Sequence, residues 1–116
     1  MTISRKIFIG RVTLPGITPT SLATLMRTSS LHWGLESDLT TPSMDSTTGS
    51  EAGIIPDAPV YIGIDNTVSP TTGMAVAAGV NFSLQDFGPA FGVIDPNQIW
   101  FYNQSGCQMA VTFQAR

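Results

Sequence analysis

Charge is scarce in this chain, and so are the side chains that usually do chemistry. Asp, Glu, Lys and Arg make up 11% of the 116 residues, less than half the roughly 25% of an average soluble domain. There is one cysteine, Cys107, and one histidine, His32. A single cysteine excludes an internal disulfide. Together they fall short of the three or four ligands that hold a zinc ion. No Gly-x-Gly-x-x-Gly or Gly-x-x-x-x-Gly-Lys-Ser/Thr run occurs, which removes those phosphate-binding loops. No Gly-x-Ser-x-Gly elbow marks a nucleophile. These absences predict a protein that is not an enzyme, with no catalytic residue, no metal and no cofactor. No apolar run reaches the roughly 18 residues of a membrane helix, so no membrane is expected as a partner. The start, Met1 to Lys6, has two basic residues but no apolar stretch behind them, and predicts no signal peptide.

What charge there is lies unevenly. Arg5, Lys6, Arg11 and Arg27 precede every acid. Glu36, Asp38, Asp45, Glu51, Asp57, Asp65, Asp86 and Asp95 follow, with no base until Arg116. The net charge of −3 and pI near 4.7 argue against a nucleic-acid partner. Opposite charges on separate surfaces can steer docking onto a partner or a second copy. Arg5, Lys6 and Arg11 are therefore candidate docking residues. The plainer reading is that the fold brings both signs together in ordinary surface pairs.

A chain of this length forms one domain, 1–116, with 1–14 as an N-terminal arm and first strand. About two-thirds of its surface can be buried, enough for a core without staples. Hydrophobic residues reach 42%, which argues against disorder.

Alternation dominates the pattern. Ile7 to Leu14 reads as a strand with Phe8, Val12 and Leu14 on one face and Ile7, Ile9 and Arg11 on the other. Pro15-Gly16 ends it. A short helix is predicted over Pro19–Thr28, with Thr18 as N-cap, Pro19 at its first position and Leu22, Leu25 and Met26 in one stripe. Leu31 to Leu35 suits a strand. Glu36 to Gly53 reads as one long Ser/Thr/Asp/Gly/Pro loop, a segment able to reach a neighbour. Then come Val60/Ile62/Ile64, Met74/Val76/Ala78, Val80/Phe82/Leu84, Ile99/Phe101 and Cys107/Met109/Val111/Phe113. These alternate with Tyr61 and Gly63, Ala75 and Ala77, Asn81 and Ser83, Trp100 and Tyr102, and Gln108, Ala110 and Thr112. Short alternating runs between turns predict antiparallel strands, in a β-sandwich or jelly-roll-like barrel with one short α-helix near the N-terminus.

In this reading every acid sits in a loop or at a strand end. Asp65-Asn66 and Asp95-Pro96-Asn97 read as turns rather than calcium loops. Cys107 falls on the apolar face as a small hydrophobe. Trp100 and Tyr102 face opposite to Ile99 and Phe101. They are partner-docking candidates if exposed, and core if a second layer covers them.

Several of these segments share one pattern. Val60-Tyr61-Ile62-Gly63, Val68-Ser69, Thr72-Gly73, Gly79 and Val80-Asn81-Phe82-Ser83-Leu84 come first. Asp95-Pro96-Asn97-Gln98-Ile99-Trp100-Phe101-Tyr102 and an alternating last strand follow. The whole resembles small structural proteins of tailed bacteriophages, and the Thr20 to Leu25 stretch fits the same pattern. The resemblance implies a virion protein, assembled in a host bacterial cytoplasm. Its role would be capsid decoration: a cement protein bound to the major capsid protein as a trimer or dimer. The alternative it implies is a tail or head-fibre module that binds a cell-surface glycan.

Overall fold

The computed structural model describes residues 6–28, 33–35, 49–85 and 93–115. The first strand, β1 (Lys6–Leu14), alternates as expected, with Val12 and Leu14 buried and Ile9, Arg11 and Thr13 outward. A two-residue strand β2 (Thr20–Ser21), helix α1 (Leu22–Thr28) and β3 (Trp33–Leu35) follow. Next come β4 (Gly49–Pro56), β5 (Val60–Gly63), β6 (Met74–Val76), β7 (Phe82–Ser83), β8 (Trp100–Tyr102) and β9 (Cys107–Ala115).

All described pairings are antiparallel, and they build a five-stranded sheet β3-β1-β9-β4-β7 and a four-stranded sheet β2-β8-β5-β6. Neither sheet closes on itself, so of the two expected architectures the open β-sandwich is the one that forms. Val12, Leu14, Ile54, Met109, Val111 and Phe113 of the larger sheet meet Val60, Ile62, Val76 and Phe101 of the smaller in one buried cluster. Leu22, Leu25 and Met26 of α1 complete that cluster, as the predicted stripe requires.

The helix begins later than its cap signals suggest. Thr20 and Ser21 pair with Phe101 and Trp100 at the edge of the smaller sheet, so Thr18 is not the cap and Pro19 is not helical. Ser21 takes the cap role: its Oγ accepts the Thr24 amide at 3.2 Å. Sheet pairing outweighs the local preference because both residues are buried there.

The predicted loop Glu36 to Gly53 is also corrected at its end. Gly49 to Gly53 belong to β4, which lines the free edge of β9 with Ala52 opposite Phe113 and Ile54 opposite Val111. Its glycines and terminal proline hid it, since both weaken a strand signal. Residues 36–48 lie outside the described residues. Glu51 therefore sits within a strand, against the expectation that every acid lies in a loop or at a strand end. Ile64 is another correction: pairing stops at Gly63, and Ile64 is exposed rather than on the buried face.

The four edge strands are two or three residues long. Short edges blunt strand-to-strand association. The turns at one end of the sandwich converge on Asn103, which is buried. Its Nδ2 donates to Pro59 O at 2.7 Å, its Oδ1 accepts the Ser105 amide at 2.9 Å, and its carbonyl accepts the Ile17 amide at 2.9 Å. Three turns are tied by one side chain and its carbonyl. Ile17 is held there at a φ of 55°, a left-handed conformation that a β-branched residue seldom adopts.

Because that conformation costs about 1–3 kcal/mol for a non-glycine residue, Ile17→Gly should stabilise the protein. The expected gain is about 1 kcal/mol after the added unfolded-state entropy of glycine, read from the urea midpoint. A lower midpoint would show that the Ile17 side chain stabilises its turn.

Candidate interaction faces

Each sheet has an outward surface, and the two differ in chemistry. On the larger sheet the register fixes rows across the strands. Ile9, Thr112, Gly53 and Ser83 form one row, running through β1, β9, β4 and β7. Arg11, Ala110 and Ile55 form the next. Gln114 pairs with Glu51 on one side of these rows, and Thr13 with Gln108 on the other. Ile9 is 64% exposed and Ile55 39%, although both lie within paired strands. The missing side chain of Gly53 leaves a hollow of about 290 Å³ between Ile9, Asn81 and Ser83, with Glu51 and Gln114 beside it. Arg11 reaches diagonally across β9 to pair with Asp57, and its Nε donates to Gln108 Oε1 at 3.2 Å. Both ends of the ion pair are half exposed, so it is worth no more than about 1 kcal/mol.

The smaller sheet presents aromatic rings. Tyr61 and Tyr102 are register partners with ring centroids 6.5 Å apart and planes tilted by 52°. Trp100 sits opposite Gly63, and its Nε1 donates to Asn97 O at 3.1 Å. A β-carbon at Gly63 would lie 2.8 Å from Val68 Cβ. The loop after β5 thus lays Val68 onto the outer surface of the sheet, and Val68 is buried there although it lies outside the main core cluster. Trp100, Tyr102 and Tyr61 are half-buried, between the interface and core alternatives. A groove of about 310 Å³ beside Tyr61 is lined by Pro59, Asn103, Gln104 and Ser105. Asn103 spends its amide on the turns already described, so the open polar groups there belong to Gln104 and Ser105.

The five candidate docking residues do not come together. Arg5 lies outside the described residues. Lys6 pairs with Leu35 at the start of β1. Arg11 lies on the larger sheet, whereas Trp100 and Tyr102 lie on the smaller. Ile55, Gly53 and Tyr61 were not singled out by sequence pattern, although an outward apolar position on a strand is the signal for Ile9 and Ile55 alike. His32 lies outside the described residues.

The acidic turns use their carboxylates internally. Asp65 Oδ1 accepts the Thr67 amide at 2.9 Å and also the Thr67 hydroxyl. Asp95 Oδ1 caps a single 3₁₀ turn, Pro96–Gln98, by accepting the Asn97 amide at 2.9 Å. Among the described residues, no group of three His, Cys, Asp or Glu side chains converges on a common point. Cys107 is half-buried against the core, and burial pushes its thiol above the ordinary range. No helix among the described residues is long and apolar enough to cross a membrane.

Comparison with protein-family models, curated proteins and solved structures returned no match. The likeness to tailed-phage virion proteins accordingly rests on the residues quoted for it.

Two outcomes follow from the aromatic side. Gly63→Val forces Val68 off the sheet and should cost about 1–3 kcal/mol by overpacking, measured by chemical denaturation; an unchanged midpoint would mean the loop yields freely. Hydrogen bonds from the Thr67 hydroxyl and amide hold the Asp65 carboxyl below its ordinary range. The stabilisation these bonds give is complete above the ordinary carboxylate range and is lost as pH falls through the lowered value. In an NMR titration the Thr67 amide should shift only below the pH at which a free aspartate titrates.

Proposed function

We propose that this protein is a non-catalytic structural component of a virion, bound to the assembled capsid as a decoration protein through protein–protein contacts. The observation that carries this reading is the outward face of the larger sheet. Two exposed isoleucines stand among small and uncharged residues, with Arg11, Asp57 and Glu51 as its charges. Such a surface loses little on desolvation and gains from burial. A protein that binds only the assembled shell stabilises that state by mass action. The likeness to phage structural proteins supports the same role and names the major capsid protein as the partner. The cationic N-terminal stretch, with Arg5, Lys6 and Arg11, supplies electrostatic steering toward an acidic shell surface.

The second reading is a tail or head-fibre module that binds a host glycan. Its support is the line of Tyr61 and Tyr102 with Trp100 beside it, since half-buried rings offer flat faces to a sugar.

Copies of the protein per purified virion, counted against the major capsid protein by quantitative mass spectrometry, separate the two. A number comparable with the capsid protein is expected. A handful of copies would move the protein to a tail or fibre and favour the glycan reading, and absence from the particle would refute both. Under the decoration reading, Arg11→Glu should weaken shell binding several-fold at low salt and less at high salt. Equal binding at both would remove Arg11 from the contact.

A further inference from the structure

We infer that the outward face of the larger sheet is a homotypic contact, occupied by a second copy of this chain. This rests on reading the face as an interface and names what fills it in the free protein, with the shell as the competing occupant of the same face. The face is self-complementary about an axis lying along β9. In the row through Thr112, Ile9 protrudes on one side of β9 and the Gly53 hollow opens on the other. Each lies one strand away, about 5 Å from the axis. A twofold along β9 therefore seats Ile9 of each copy in the Gly53 hollow of the other. In the next row the same rotation sets Arg11 over Ile55 of the second copy, and Ala110 over Ala110. The methylene stem of Arg11 covers that isoleucine, and its guanidinium comes within reach of the second copy's Asp57. Thr112 and Ala110 on the axis are small enough for the sheets to approach to about 10 Å.

Gly53 supports this independently. Glycine inside a strand costs about 0.5–1 kcal/mol relative to alanine. The fold of one copy does not require it, because an added β-carbon would meet Phe82 O and Thr112 Oγ1 at 3.5 Å and Asn81 Oδ1 at 3.7 Å, all ordinary contacts. The hollow has a use only when something enters it. Among the described residues the edge strands of both sheets are two or three residues long, which disfavours edge pairing as the route of association.

Three strands, β1, β9 and β4, by four rows cover about 400 Å² per copy, or roughly 800 Å² in total. That is below the roughly 1,000 Å² of a stable specific contact and in the range of weak, transient ones. The dimer is thus weak and concentration-dependent.

Sedimentation equilibrium of the intact protein from about 5 to 500 µM tests this. The mass should rise from monomer toward dimer over that range. Ile9→Glu and Gly53→Val should each weaken dimerisation about tenfold or more, while Ile64→Glu, at a residue 74% exposed off this face, should leave it unchanged. Gly53→Val should fold at least as stably as the parent in a urea titration, which separates loss of the dimer from loss of the fold. A parent protein that stays monomeric throughout overturns the inference. So does dimerisation that both substitutions leave intact. Neither result alters the copy count on the virion, which tests the structural role by itself.

Discussion

Everything in this fold depends on β9 being hydrogen-bonded along both edges. Its residues Cys107 to Gln114 match β1 from Leu14 back to Ile7, and Met109 to Ala115 match β4 from Pro56 back to Gly49. The last strand thereby joins the first to the middle of the chain. Its inward residues Met109, Val111 and Phe113 form the centre of the core, and its outward residues Ala110 and Thr112 form the centre of the exposed face. One strand with period two serves both surfaces. Pairing of the two chain ends also makes this a fold of long-range contacts, in which loop closure precedes most of the stabilising burial.

The smaller sheet is held differently. Its strands are short, and turns do much of the work of fixing them. Asn103 joins three of those turns, with partners for its Nδ2, its Oδ1 and its carbonyl oxygen. Val68 closes the outer surface over Gly63, so the aromatic line is partly structural. Among the described residues, the larger sheet has no such cover over Ile9 and Ile55. That asymmetry separates a surface shaped mainly by folding from the one proposed for association.

Much of this was legible in the sequence. The strands with strict alternation, Ile7–Leu14 and Cys107–Phe113, and the Leu22/Leu25/Met26 stripe are where the pattern places them. So are the turn roles of Asp65 and Asp95. The strand β4 was not legible, because Gly49, Gly53 and Pro56 look like loop residues until β9 supplies the ladder beside them. The helix start was not legible either, because Thr20 and Ser21 are claimed by β8. Alternation set Arg11 opposite the buried face of β1 and Trp100 and Tyr102 opposite Ile99 and Phe101, yet it could not tell that they lie on different sheets.

By itself the sequence determined the β class, the inward and outward sides of its longest strands, and the poverty of reactive side chains. These follow from local periodicity and composition, which each segment carries wherever it ends up. Only the tertiary structure decided which strands are neighbours. That choice sets Ile9, Thr112, Gly53 and Ser83 in one row and aligns Tyr61 with Tyr102. Strand order is set by how buried faces from distant segments pack together, and no single segment encodes it.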